Sequence, residues 1–457
     1  MLYHLLRPIA LTGINLFYNS ISVENQDRIP KKGPVIFAAN HPNTMMDPLI
    51  VAASCGRRVS FLARSTLFFN SFISWLFTTI GIIPVYRKID AKDDMHRNEE
   101  MFSATYRHLE RNHGILIFPE GSSTPERIIH KLKTGAARIG LGAEEKNDFL
   151  LNVQIIPAGI NYSASTKFRS DVHCRFGRPI KLIDYKEKYQ KDNWSAVEEV
   201  TNQLKKALEK LTATVSDQGD EDIVKSLESI YKKELTVNLG MDKKSKSDDF
   251  KISKGIISAL EWFSINRPKW TLEMKKSIFQ YINMLDRLNI RDEFLSTGQS
   301  KVTFFRRVQS WLFLIIGFPI FVYGVLINYL PYKISGHLAV WIVKGHVADI
   351  SSKKMIIGLG LFLLWYSLLL ILFHSIGFDW IWTLLFFVTF IPSGNFSLYY
   401  FRKAKNYQQH IRFLTIFYQK RILLYELIEK RLNIINELNK AKDDYFAQLE
   451  GNDKSLQ

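Results

Sequence analysis

Cysteine is nearly absent. The 457 residues hold two, Cys55 and Cys174, in no metal-ligand spacing. A disulfide framework is therefore not expected, and both side chains read as reduced thiols. No P-loop or zinc spacing occurs, nor an internal repeat of fixed period. Acid is in short supply: Lys plus Arg number 61 against 44 Asp plus Glu, a surplus of 17. Such a surplus suits either nucleic acid or an anionic membrane surface. The basic residues are spread along helices and beside apolar runs, without a zinc-finger or RNA-recognition signature, so nucleic acid is not the expected partner. The opening MLYHLLRPIALTGINLFYNS lacks a clear small-residue cleavage site and does not read as a secretory signal. Leu2, Leu5, Leu6, Ile9, Ile14 and Phe17 line one side of a broken helix that either caps the core or lies in a membrane interface.

From Gly33 to about Lys181 the pattern is α/β. Short apolar or β-branched runs, 35-VIFAA-39, 59-VSFLA-63, 82-IIPVY-86, 115-ILIF-118, 153-VQIIPAGI-160 and 172-VHCRF-176, alternate with helical stretches such as 98–112 and 134–145. This alternation predicts βαβ units around a largely buried sheet. Residues 181–300 are polar and helix-rich, with 242-DKKSKSDD-249 reading as an exposed loop.

Long apolar runs then appear. Residues 311-WLFLIIGFPIFVYGVLINYL-330 carry no formal charge, and 355–378 none beyond a possible one on His374; 380-WIWTLLFFVTFIPSGNFSLYYF-401 follows. Each is long enough to cross a hydrocarbon core, and the last two read as a hairpin turning at 374-HSIGFD-379. In the first, Gly317, Pro319 and Gly324 leave a kinked or re-entrant course open. Basic residues flank the outer ends and are missing from the 374–379 turn, which places that turn away from the cytosol and the large domain on the cytosolic face. After Lys405, Ile411, Leu414, Tyr418, Ile422, Tyr425, Ile428, Leu432, Ile435 and Leu438 recur at three- and four-residue steps. That helix either packs back on the polar helical region or pairs as a coiled coil, which would make a homo-oligomer. The expected divisions are 1–215 (catalytic, with the N-terminal helix), 216–305 (polar helical), 306–405 (two to three membrane segments) and 406–457 (long helix).

The chemistry-bearing stretch is 38-AANHPNTMMDPLI-50. His41 and Asp47 are six positions apart, too far to share one face of a regular helix. Pro42 and Pro48 stiffen the intervening turn, so the carboxylate can fold back on the imidazole. A His held by an Asp is a general-base arrangement, and equally a common structural hydrogen bond. In 118-FPEGSSTPE-126, Gly121 permits a sharp turn after a strand, and Ser122, Ser123 and Thr124 either bind phosphate oxygens or cap a helix. Arg87, Lys131 and Lys133 are individually ordinary surface charges; together they suit a phosphate-bearing substrate. His113 and His130 flank the strand without an obvious carboxylate partner, while His173 and Cys174 read as core. The aromatic patch 67-LFFNSFISWLFTTIG-81 is either core packing or an apolar groove or membrane-dipping surface.

Over roughly Pro30 to Asp184 the chain resembles the glycerolipid (phospholipid/glycerol) acyltransferases. Four blocks carry the likeness in order: Asn40-His41 through Asp47-Pro48, Ile83-Pro84-Val85-Tyr86-Arg87, Phe118-Pro119-Glu120-Gly121, and Ile156-Pro157-Ala158-Gly159. The resemblance implies a mixed α/β sheet flanked by helices, with His41 as base and Asp47 orienting it. It assigns Arg87, Glu120 and Gly121 to acceptor binding. Five residues, Pro42 to Met46, separate His41 from Asp47 where the commonest form has four, and Ser122, Ser123 and Thr124 follow the third block where many members carry an Arg. Both departures, and the C-terminal placement of the membrane segments, are similar to the fungal-type glycerol-3-phosphate/dihydroxyacetone-phosphate branch. Part of the phosphate recognition is then expected from Lys131 and Lys133. The implied activity is transfer of a fatty acyl group from an acyl-CoA or acyl-carrier-protein thioester to glycerol 3-phosphate, or to lysophosphatidate, at a membrane. No metal or other cofactor is expected. The rival of another class is a non-enzymatic scaffold whose α/β domain binds lipid headgroups.

Overall fold

The computed structural model describes residues 2–86, 98–242, 244–296, 304–343, 345–419 and 421–454. The chain divides into two compact units, Met1–Gln218 with Ile342–Met355, and Gly219–Trp341 with Ile356–Gln457.

The first unit is built on an eight-stranded mixed sheet. Its strands are β1 (Ser20–Glu24), β2 (Val35–Ala39), β3 (Val59–Arg64), β4 (Ile82–Val85), β5 (Gly114–Ile117), β6 (Gln154–Tyr162), β7 (Asp171–Phe176) and β8 (Ile180–Lys181). They are ordered β1-β7-β6-β2-β5-β3-β4, with β8 beside β6. All pairs are parallel except β6 with β7 and β6 with β8. The apolar run 35-VIFAA-39 is fully buried along its length, as a central strand covered on both faces must be. Its period-two alternation feeds two cores. Ile36 and Ala38 pack with α4 (Asn98–Glu110), α5 (Gly135–Lys146) and α7 (Asn193–Leu211) through Leu109, Ile139, Val200 and Leu204. Val35, Phe37 and Ala39 pack with α1 (Leu2–Phe17) and α2 (Met46–Ser54) through Ile14, Phe17, Ile50 and Val51. The short α6 (Lys186–Lys191) precedes α7.

One feature departs from the sequence reading, and a second selects between its alternatives. The chain enters the sheet at β1, ahead of Gly33; SISVE alternates weakly and sits at an edge, where one neighbour suffices. In α1, Ile14 and Phe17 are buried whereas Ile9 and Leu16 face solvent, so its C-terminal turn caps the core.

The second unit contains α8 (Glu221–Asn238), α9 (Lys246–Asn266), α10 (Pro268–Leu288), α11 (Glu293–Ser296), most of α12 (Phe304–Val343) and α13 (Ile350–Ser375), then α14 (Trp380–Val388), α15 (Phe390–Gln419) and α16 (Arg421–Lys454). The stretch 242–249 is not all loop: Ser245 caps α9 by accepting from the Asp248 N–H, and Asp248 and Asp249 lie in its first turn. A Ser followed three residues later by an acid favours a helix start over a solvated run.

Among the described residues, three helices are long and apolar enough to cross a membrane: Val308–Val343, Val347–Ser375 and Trp380–Gln409. The first is one continuous helix, so the re-entrant course is not adopted. Its glycines serve close packing: a Cβ on Gly324 would strike the Ser393 carbonyl and Ser397 Oγ of α15, and one on Gly317 would press on Phe396 and Tyr400. The C-terminal helix packs back on α8, α9 and α10 on a stripe that shares Ile428, Ile435 and Leu438 with the expected one but is otherwise rotated towards Leu424, Leu427 and Ile434. Leu424, Leu427, Ile434, Ile435 and Leu438 are buried, while Ile422, Tyr425 and Leu432 are largely exposed. Both stripes are apolar at helical spacing, so only the partner surface selects the inner one.

Candidate active site

Strand register places the site. The parallel neighbours β2 and β5 are paired Ala38 with Ile117, so the residues that follow, Asn40-His41 and Phe118-Pro119-Glu120, leave the sheet side by side. On the other flank β6 pairs Ala39 with Ala158 and runs four residues further, to Tyr162. Three segments thus converge at the carboxyl ends of the parallel strands, where open α/β sheets commonly place their sites.

The loop after β2 folds back as the two prolines suggested. His41 Nδ1 lies 2.8 Å from Asp47 Oδ2. The same oxygen accepts the Asn43 N–H at 2.7 Å, and Oδ1 accepts the Tyr162 hydroxyl at 2.6 Å. Asp47 is wholly buried, and three donors satisfy it. Burial first, then the charge of Asp47, pushes the Tyr162 phenol well above its ordinary range, so it stays a donor. Facing a carboxylate oxygen that accepts its other contact too, Nδ1 is the donor of this bond, which leaves Nε2 as a lone-pair acceptor. The His41 side chain is 15% exposed, and its ring stacks on Phe118 at 3.9 Å with planes 15° apart. An oriented, reachable imidazole with a buried orienting acid can take a proton from a hydroxyl.

The other expected residues surround this pair in distinct ways. Glu120, almost fully buried, receives the backbone N–H of His41 at 3.0 Å and of His130 at 3.1 Å, one on each oxygen. It therefore stitches the two loops together, and burial pushes its carboxyl above the usual range against the pull of those N–H groups. Gly121 has φ +72°, and a Cβ there would run into the Lys133 side chain, whose Cε and Cδ would be 2.7 and 2.9 Å away. The positive φ is what calls for glycine, since the end of the Lys133 side chain can move aside. Lys133 consequently lies against the turn, while Lys131 is exposed nearby in sequence. Ser122 is exposed; Ser123 Oγ accepts the Thr44 N–H at 2.9 Å, and the Thr124 N–H donates to the His41 carbonyl at 3.1 Å. No helix starts at these residues, so they do not cap one; Ser123 and Thr124 instead tie to the loop that follows β2. Arg87 lies outside the described residues.

His130 has the carboxylate neighbour that spacing did not suggest, Glu126 at 3.6 Å, and its Nε2 meets Thr124 Oγ1 at 2.9 Å. His113 precedes β5 and so lies at the opposite end of that strand from the site. Cys174 is fully buried, with its thiol pushed up to about 12 by burial; the buried His173 bonds Ser22 and Glu24. In the aromatic patch, α3 (Ser71–Ile80) buries no residue, and Phe69, Phe72 and Trp75 are exposed, so core packing does not account for it.

Sequence reasoning missed Tyr162, Asn40 and Asn43 as site builders. Asn40 bridges β2 to β6 by donating to the Ile160 carbonyl and accepting its N–H; Asn43 donates to the Ser165 carbonyl at 2.8 Å. The Asn40–Ile160, Asn43–Ser165 and Tyr162–Asp47 bonds each link residues more than a hundred positions apart, so only topology reveals them.

Residues 20–161 match the Acyltransferase family model. That stretch, which includes the His41–Asp47 loop, is similar to an acyltransferase domain. It is 24% identical over 404 positions to glycerol-3-phosphate O-acyltransferase 1 of Saccharomyces cerevisiae, covering 69% of this chain and 52% of that protein. Glycerol-3-phosphate O-acyltransferase 2 of the same yeast is 24% identical over 221 positions, 48% of this chain and 28% of its own length. The chain thus spans about half the length, or less, of these curated relatives. Among solved structures, a 1-acyl-sn-glycerophosphate acyltransferase from Thermotoga maritima aligns with a TM-score of 0.34 at 18% identity, covering 47% of this chain and 81% of that one.

Proposed function

We propose that the protein is a membrane-bound O-acyltransferase that moves a fatty acyl group from an acyl-CoA or acyl-carrier-protein thioester to glycerol 3-phosphate. The observation that carries this reading is the His41–Asp47 pair, buried on the acid side and open on the base side, on a loop clamped by Glu120. In this mechanism His41 Nε2 takes the proton from the attacking hydroxyl as its oxygen bonds to the thioester carbonyl carbon. Asp47 stabilises the imidazolium that forms, and the departing thiolate takes the proton. No metal or further cofactor is required for these steps. The acceptor is inferred from the yeast relatives, both named as glycerol-3-phosphate acyltransferases, and from the long His–Asp spacing. Its phosphate is assigned to Lys131, Lys133, Ser122 and the unpaired capacity of Ser123, with Arg87 as a further candidate.

Three apolar helices support residence in a membrane, where both the acyl chains and the lipid product partition. The distribution of Lys and Arg around them supports a cytosolic-face domain. A second copy of the chain, if one binds, would use the exposed Ile422, Tyr425 and Leu432 of α16.

The test is thioester consumption by membranes containing the protein, offered labelled acyl-CoA or acyl carrier protein with glycerol 3-phosphate or lysophosphatidate in turn. Consumption only with glycerol 3-phosphate, lost in His41→Ala, is the expected result. Turnover with lysophosphatidate alone would reassign the acceptor; lipid binding without thioester loss would favour the scaffold.

A further inference from the structure

The catalytic loop is held from a third side by residues three hundred positions away. Thr44 Oγ1 lies 3.2 Å from the Ala348 carbonyl and 3.0 Å from Ser352 Oγ, and the Met45 N–H lies 3.2 Å from the same Ser352 oxygen. Directions follow from donor inventory. The Ala348 carbonyl only accepts and the Met45 N–H only donates. The Thr44 hydroxyl therefore donates to Ala348, the Ser352 hydroxyl donates to Thr44, and Met45 donates to Ser352. Every group is used once, in one direction. Ser351 adds a second tie, donating to the Ser165 carbonyl at 2.6 Å, the acceptor that also receives Asn43 of the loop. Ser351, Ser352 and Ala348 are buried, and Met355 joins the core beneath β2.

All these residues belong to the first unit, although they open the second apolar helix. Val347–Ser375 has 29 residues. A hydrocarbon core needs about 20, so the first turns are surplus to spanning. Hydroxyl side chains at 351 and 352, unneeded by a span, do have a use as ties for the loop.

We propose that Ser352, with Thr44, is a positioning residue for the His41 base: the start of the second apolar helix sets the conformation of the catalytic loop. This rests on the reading of His41 as base, and two independent readouts separate the two ideas. The first is loop access, which involves no catalysis. Met45 is 38% exposed and both native cysteines are buried, so Met45→Cys supplies one reactive thiol on the loop. In the full-length protein in lipid nanodiscs, adding Ser352→Ala is expected to speed its alkylation several-fold; an unchanged rate overturns the proposal whatever His41 does. The second is kinetic. Ser352→Ala and Thr44→Val are each expected to lower kcat about tenfold with KM nearly unchanged, since small displacements of a base are costly to turnover. The double variant should be no worse than either single one, and Thr44→Ser should restore kcat. Wild-type kcat in Ser352→Ala, losses that multiply in the double variant, or a Thr44→Ser as slow as Thr44→Val each overturn it. Full activity in His41→Ala, with faster alkylation still caused by Ser352→Ala, overturns the base assignment and with it the catalytic part of the proposal.

Discussion

Asp47 and Asp292, one in each unit, are both withdrawn from water and both accept a tyrosine hydroxyl at 2.6 Å. They differ in the partner that answers their charge. Asp292 is gripped by the guanidinium of Arg431, at 2.8 and 3.2 Å, on the buried face of α16. A guanidinium does not give up its proton, so that pair holds helices together and can do nothing else. Asp47 instead faces an imidazole whose other nitrogen is reachable. One carboxylate geometry suits a structural tie or a proton-transfer device according to whether its partner has a ring nitrogen free to exchange a proton.

The contrast is broken most severely by removing each partner in turn. His41→Ala should lower kcat by about 10²–10⁴-fold, the usual worth of a positioned base, with the unfolding transition nearly unmoved. Arg431→Met should do the reverse. It leaves Asp292 buried without a cation and is expected to cost about 3–5 kcal/mol of stability, while KM of the folded protein stays at the wild-type value. Activity and denaturation measured on both variants check the exchange of effects; a stability loss in His41→Ala as large as that in Arg431→Met would erase the distinction. A smaller effect is expected from Gly121→Ala, about 1–2 kcal/mol, because a side chain there is forced into the left-handed region and displaces Lys133. If Lys133 contacts the acceptor phosphate, KM for the acceptor rises in the same variant, a change that a titration of initial rate against acceptor would register.

The two regions were not equally legible in the sequence. The loop after β2 announced itself because its candidate chemistry is local: His41, Pro42, Asp47 and Pro48 lie within eight residues, and 35-VIFAA-39 before them reads as a buried strand. Five further strands were readable for the same reason, and β1 was not, since an edge strand need not alternate strongly. The apolar helices were visible by length alone. What stayed hidden was long-range. Nothing near Tyr162 or Ser352 distinguishes them from ordinary polar residues until the register of β6 and the course of α13 bring them to the loop. Similarly, α16 offers two apolar stripes, and a periodicity argument has no means of choosing the one that carries Leu424, Leu427 and Arg431. Glu120 is the intermediate case: the motif marked it, but its partners, two backbone N–H groups, are a fact of the fold.

Glu120 also allows the finest test of the comparison, because it is a buried carboxylate with no cation at all among its hydrogen-bond donors. Burial raises its pKa above the ordinary 4.5, more than the two N–H groups lower it. The native state therefore holds this proton more tightly than the unfolded chain. Its contribution to stability is complete below pH 4.5 and is lost as pH climbs through the raised native value. Glu120→Gln cannot ionise and keeps one acceptor oxygen, so it sacrifices one of the two N–H ties at every pH but carries no such titration. Chemical denaturation of both proteins from pH 4.5 towards neutrality should then show the wild type's advantage over Glu120→Gln shrinking as pH rises. An advantage that grows with pH would mean that the N–H pair outweighs burial, which would make Glu120 a preformed anion like Asp47 and not a clamp closed against its own desolvation cost.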